Sequence, residues 1–142
     1  MKKNITTQQL SALAQASADA KKYSYSPYSH FKVGAAVLTE NGQMYTGTNI
    51  ENASYGLTVC AERNAMFKAA CEGHRRFTAL AVCTDPVPGQ DFGTPCGACL
   101  QVMTEFMKPD AIIMLVAVDK KGKITSCKKK LKNFMPYTFV DF

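Results

Sequence analysis

Cys60-Ala61-Glu62 and, further along, Pro95-Cys96-Gly97-Ala98-Cys99 hold the residue types in this chain best suited to chemistry. Three thiols and one carboxylate at this spacing read as a zinc-activated water beside a proton shuttle. Cys96 and Cys99 stand three apart, so both reach one ion from a helix start, and Cys60 would come from a second helix. Three protein ligands leave tetrahedral zinc one open position, where a closed structural site would normally use four. Both segments fall at predicted helix N-termini, whose dipoles favour thiolate over thiol. Three thiolates around one Zn²⁺ leave net negative charge. Arg63, next to Glu62, is the cation placed to offset it by hydrogen-bonding the sulfurs. A surface salt bridge is the plainer role for Arg63. Glu62 is read as the group that moves protons, not as a ligand, against the plain alternative of a first-turn helix acid. A structural zinc knot would need a fourth ligand. His74 lies about four turns from Cys60 on the predicted helix, which leaves His30 as the spoiler.

These residues need a scaffold, and the chain supplies one. Thr6 and Gln9 form a capping pair, and Leu10, Leu13, Ala14 and Ala18 recur at helical spacing, so a first helix runs to about Lys22. Tyr23 to His30 is a turn-rich loop. Phe31 to Leu38 reads as a buried strand, joined by Asn41-Gly42 to a second strand from Gln43 to about Ile50. Asn49 and Glu51 are two apart and share a face if the extended chain continues. A helix from about Thr58 to Gly73 and a buried strand from Phe77 to Thr84 follow. After a loop, a helix starts near Gly97 and stops before Pro109. Ala111 to Val118 is a further apolar strand, with a short strand near Lys123 to Cys127 and a short helix near Lys129 to Phe134. The order predicts an α/β fold: one three-layer α/β/α domain over residues 1–142 with one mixed five-stranded sheet, its two central strands parallel.

Composition narrows the classes further. A chain of 142 residues, 46% apolar and 20% charged, is an ordinary single globular domain. No apolar run reaches membrane-spanning length, and Met1-Lys2-Lys3-Asn4 opens no apolar signal core, which argues against membrane insertion and secretion. The expected setting is the reduced cytoplasm, with the cysteines in metal spacing rather than paired, and Cys83 in the core. The charge of +6 is concentrated in Lys120, Lys121, Lys123, Lys128, Lys129, Lys130 and Lys132. No aromatic residue interleaves them, which argues against a nucleic-acid platform and for a solvated surface.

The chain resembles the small cytidine deaminases, a family of zinc-dependent homotetramers. The resemblance rests on Pro27-Tyr28-Ser29-His30-Phe31-Lys32-Val33-Gly34-Ala35-Ala36, Asn49-Ile50-Glu51-Asn52-Ala53-Ser54-Tyr55-Gly56, Cys60-Ala61-Glu62-Arg63 and Pro95-Cys96-Gly97-Ala98-Cys99, with Gln101 and Pro136-x-x-Phe139. The zinc motif alone points to the wider deaminase superfamily; Asn49-x-Glu51 points to a free nucleoside. The resemblance implies hydrolytic deamination of cytidine and 2′-deoxycytidine to the uracil nucleosides, with release of ammonia, in pyrimidine salvage. Zinc would be held by Cys60, Cys96 and Cys99, with Glu62 relaying protons to a ring nitrogen and the leaving amine. It further implies that Phe31 stacks on the pyrimidine and that Asn49 and Glu51 bond the ribose hydroxyls. Backbone near Ala53 and Cys96 would read the base edge, and Tyr55 and Phe139 would enter a neighbouring subunit's site. Taken alone, Phe31 reads as core, Asn49 as a turn residue and Glu51 as a surface acid. Leu100 replaces the arginine usual after the second cysteine of Pro-Cys-x-x-Cys. Phe134-Met135 replace two leucines, and Tyr137 a small residue. These departures raise a second reading, a deaminase for N4-substituted cytosine nucleosides. RNA binding and a non-catalytic zinc protein are the remaining classes.

Overall fold

A computed structural model describes residues 4–140. Met1, Lys2 and Lys3, which bear on the question of a signal core, lie outside the described residues, as do the last two residues of the predicted domain. The first helix, α1, spans Thr7–Ala20 and carries the predicted capping box. Thr6 Oγ1 accepts from the Gln9 amide at 3.1 Å, and the Gln9 side chain accepts from the Thr6 amide at 3.0 Å. Then come β1 (Val33–Thr39), β2 (Met44–Thr48), α2 (Ala61–Cys71), β3 (Phe77–Thr84), α3 (Gly97–Phe106), β4 (Met107–Val118), β5 (Ile124–Lys130) and a short α4 (Leu131–Phe134).

The strands form one sheet in the order β2-β1-β3-β4-β5. β1 is antiparallel to β2 and β3, β3 and β4 are parallel, and β5 returns antiparallel. Period-two alternation divides the strand side chains between two cores. Ala36, Leu38, Ala79, Ala81 and Met114 pack with Leu13 and Ala14 of α1. Ala35, Val37, Leu80, Val82, Ile113 and Leu115 pack with Ala65 and Met66 of α2, Met103 of α3 and Leu131 of α4. The result is the three-layer α/β/α arrangement with one mixed sheet, and Cys83 is buried in the α1-side core. Among the described residues, no helix is long and apolar enough to cross a membrane.

Several boundaries differ from expectation. β1 starts at Val33, so Phe31 precedes the strand. β2 ends at Thr48, so Asn49 and Glu51 lie beyond it, and α2 begins at Ala61 rather than near Thr58. α3 stops before Pro109, at Phe106, as expected, but β4 begins at Met107 rather than Ala111 and so contains Pro109. The β3–β4 register passes from Phe77↔Met107 to Ala79↔Ile112, so the segment around Pro109 bulges out of the ladder, where a missing N–H leaves no bond unmade. The lysine-rich segment extends β5 to Lys130 as the sheet edge, and Lys130 and Lys132 pair with Asp110 at 3.1 and 2.9 Å. Lysines on an edge strand discourage further strand pairing.

Candidate active site

α2 and α3 both begin at the C-terminal end of β3, because each runs antiparallel to the strand beside it in sequence. Cys60 is the N-cap of α2 and Cys96 the N-cap of α3, and neither side chain makes a capping bond. A cap position places a side chain beside unpaired helix amides, and two unused caps leave two sulfurs directed elsewhere. Cys99 follows one turn into α3. The Sγ atoms of Cys60, Cys96 and Cys99 lie within 4.8 Å of one another, and Cys60 and Cys96 are 3.8 Å apart. Tetrahedral zinc with bonds of about 2.3 Å separates two sulfurs by about 3.8 Å, so the sulfurs fit that ion. Among the described residues no histidine or carboxylate joins the group, which leaves one of four tetrahedral positions for solvent or substrate. His74 lies past the end of α2, with Nε2 3.0 Å from Tyr45 Oη, and His30 is likewise outside the group.

Glu62 stands in the first turn of α2, only 4% exposed. Burial pushes its carboxyl up to about 7, and the Cys60 thiolate adds to that, against lowering by its own backbone amide, Cys99 and Arg63. The Cys60 thiol is held below its ordinary range by the hydrogen bond from Cys99 and then by Arg63 and Cys96, whose effects together outweigh burial. Arg63 Nη2 donates to Cys60 Sγ at 3.6 Å, while Arg63 Nε is buried without a partner. That guanidinium therefore faces the sulfurs. Leu100, by contrast, is packed into the core and adds no charge to them.

The loops converge on the same end of the sheet. Val33 pairs with Thr84 at the end of β3, and the Lys32 carbonyl accepts from the Asp85 amide at 2.9 Å. This brings Phe31, half-buried, to the rim. Ile50 bridges Val59, which sets Asn49 and Glu51 beside the residue preceding Cys60. Asn49 Nδ2 donates to the Phe31 carbonyl at 2.8 Å, and Asn49 Oδ1 accepts from the Val33 amide at 2.9 Å and from the Ser24 hydroxyl. Glu51 accepts from the Tyr28 amide at 2.9 Å, the Ser29 amide at 3.2 Å and the Ser29 hydroxyl. An Asn amide has two donors and a carboxylate about four acceptor sites, so one donor on Asn49 and one acceptor site on Glu51 remain. Ala53 sits in a turn closed by Asn52 Oδ1 on the Ser54 amide at 2.8 Å, and its own backbone groups make no bond among the described residues. Tyr55 is 75% exposed and packs edge-on against Tyr28. Gln101 Nε2 donates to the Phe139 carbonyl at 2.8 Å, tying the tail to α3, with the Phe139 ring 66% exposed.

Residues 7–116 match the family described as the cytidine and deoxycytidylate deaminase zinc-binding region. The chain belongs to this deaminase family. Among the relatives of this deaminase, the cytidine deaminase of Halalkalibacterium halodurans is 52% identical over 99 residues, 68% of this chain and 70% of that one. The crystal structure of cytidine deaminase from Burkholderia pseudomallei superposes with a TM-score of 0.80 at 39% identity, over 95% of this chain and 100% of that chain. The Mycobacterium tuberculosis enzyme gives 0.73 at 31%, over 92% and 97%. Within the deaminase fold, two contributions escaped the sequence reading. Ser29 and Ser24 buttress Glu51 and Asn49, and Asn64 Nδ2 ties α2 to the Thr48 carbonyl at 2.7 Å. The serine-rich run from Ser24 to Ser29 was visible as a turn; its partners, more than twenty residues away, were not.

Proposed function

We propose that this chain is a zinc-dependent hydrolase that deaminates cytidine and 2′-deoxycytidine to uridine and 2′-deoxyuridine, releasing ammonia. The observation that carries the reading is the trio of cysteine sulfurs with no fourth protein ligand among the described residues, beside the buried Glu62. Cys60, Cys96 and Cys99 hold the ion, and Arg63 offsets their charge. Zinc held there supplies a Lewis acid that makes a water nucleophilic at neutral pH. Glu62 would take one proton from the water and deliver it to the ring nitrogen N3 as the water oxygen bonds to C4. It would then take the remaining proton from that hydroxyl and pass it to the exocyclic amine, so that the C4–N4 bond breaks as C4=O forms and ammonia leaves. Its burial keeps bulk water from competing for those protons.

Phe31 stacks on the pyrimidine, and the unused Asn49 donor and Glu51 acceptor take a sugar hydroxyl. The unbonded backbone at Ala53, with Cys96, reads the base edge. Tyr55 and Phe139 complete the site of a neighbouring subunit in a homotetramer. In one subunit they are exposed, as are Tyr23, Tyr25, Ile50 and Leu57, large apolar side chains of the kind that assembly would cover. The whole chain acts as one catalytic domain, and its six free cysteines fit the reducing cytoplasm. Leu100 lies in the core, and nothing there favours a larger N4-substituent.

The test is loss of cytidine absorbance with zinc-loaded protein, run beside Glu62→Gln with zinc content measured on both. Turnover by the native chain alone, at equal zinc, is expected. Equal turnover by both would overturn the role of Glu62, and turnover by neither would overturn the substrate.

A further inference from the structure

Phe31 is held by side chains and not by the sheet. β1 begins two residues later, His30 before it has a left-handed φ of 57° that ends the extended chain, and among the described residues the Phe31 backbone makes no bond to a neighbouring strand's backbone. The Phe31 amide instead donates to Ser29 Oγ at 3.0 Å, and its carbonyl accepts from Asn49 Nδ2 at 2.8 Å. The Ser29 hydroxyl in turn donates to Glu51 Oε1, while Glu51 Oε2 takes the Tyr28 and Ser29 amides. A hydroxyl carries one proton and two lone pairs; the Glu51 carboxylate can only accept, so the Ser29 proton goes to Glu51 and a Ser29 lone pair takes the Phe31 amide. An ionised acceptor at one end of such a chain strengthens the bond at the other. The ring read as the base platform and the carboxylate read as the sugar contact thus share one intermediary.

We propose that Ser29 is a positioning residue that fastens Phe31 to Glu51, so that the carboxylate receiving the sugar hydroxyl also sets where the base-stacking ring stands. The role assigned to the two ends rests on the function proposed above; the fastening itself does not. Glu51 Oε1 serves both Ser29 and the incoming hydroxyl, which makes sugar binding and ring placement interdependent. A serine that merely closed its own turn would leave the ring's contribution to binding unchanged.

The test compares zinc-loaded native protein with Ser29→Ala, Ser29→Thr, Phe31→Ala and the Ser29→Ala/Phe31→Ala double variant. For cytidine, Ser29→Ala is expected to raise KM about tenfold, with kcat within about threefold. Ser29→Thr, which keeps the hydroxyl, stays within about twofold of native. In the Phe31→Ala background, Ser29→Ala adds less than about twofold, since the ring it positions is gone. An unchanged KM, or the same factor in both backgrounds, overturns the proposal. Amide hydrogen exchange gives a readout independent of substrate. Ser29→Ala should speed exchange at the Phe31 amide about tenfold while the Val82 and Leu115 amides in the core strands stay as in native protein. Unchanged exchange at Phe31 overturns the fastening even if native protein turns over no cytidine, and faster exchange without cytidine turnover upholds the fastening while the substrate reading falls.

Discussion

Arg63 Nη2 donates to Cys60 Sγ across 3.6 Å, while the Nε of the same guanidinium is buried with no partner. The contact sets a cation against sulfurs that would carry net negative charge once they held zinc as thiolates. Leu100, an apolar core residue, supplies no cation. Arg63→Leu is therefore expected to weaken zinc binding by about 10–100-fold, measured by competition with a chromogenic chelator. Arg63→Lys keeps the charge but loses the planar fork, and should fall between. Unchanged affinity in Arg63→Leu would remove the guanidinium from the metal's surroundings.

The sugar-binding role proposed for Asn49 and Glu51 makes their spare hydrogen-bonding capacity a prediction about sugar preference. One donor and one acceptor site remain once Phe31, Val33, Ser24, Tyr28 and Ser29 are served. A single hydroxyl, accepting from Asn49 and donating to Glu51, satisfies both. Cytidine and 2′-deoxycytidine should then differ by less than about tenfold in kcat/KM, whereas a 2′,3′-dideoxynucleoside should lose about tenfold or more, because both groups are left unpaired. Strong discrimination between the first two would mean that the 2′-hydroxyl has a partner of its own.

Gly47 fixes how closely β2 lies against α2. A methyl group there would collide with the Ala65 amide nitrogen and the Ala61 carbonyl oxygen, backbone atoms in the turns that follow Cys60. Neither can swing aside. Gly47→Ala should cost about 1–3 kcal/mol and lower Tm by about 5–10 °C in thermal unfolding of the zinc-loaded protein. Gly56→Ala, where an added methyl meets nothing within 4 Å, should shift Tm by about 1 °C or less.

Asp85 links α1 to the rim of the site, accepting from Lys21 Nζ at 2.7 Å and from the Lys32 amide at 2.8 Å. Burial raises its carboxyl, but Lys21 and the Lys32 amide outweigh that and hold it below the ordinary range. A carboxyl lowered on folding stabilises the fold at pH above its unfolded value of about 3.9, and that stability drains away as pH falls through the lower folded value. Asp85→Asn should accordingly be less stable than native protein at neutral pH, with the gap closing below about pH 4. Denaturant unfolding at several pH values checks this, and a gap that persists in acid would assign it to packing.

Each half of the cysteine trio was legible because its own geometry is local, whereas the meeting of the two halves is tertiary. Cys96 and Cys99 share one helical turn, Cys60 and Glu62 begin another, and the start of each helix could be read from a few residues. The capping pair Thr6 and Gln9, the Asn41-Gly42 turn and the apolar strands were legible for the same reason, since each depends on neighbours in the chain. Pro109 marked the end of α3 as expected, but the start of β4 at Met107 rather than Ala111 was not legible, because the bulge that admits a proline into the strand is created only by the register between β3 and β4.

By itself the sequence determined the element order, the apolar faces and the ligand chemistry, all of which follow from residue type and short spacing. Only the tertiary structure decided which groups Asn49 and Glu51 hold, why Phe31 stands outside the strand, and that the two helix starts bring Cys60 to Cys96 and Cys99. Those outcomes depend on hydrogen bonds and packing between segments far apart in sequence, and a side chain's partner there is set by how the sheet and helices stack, which no local pattern encodes.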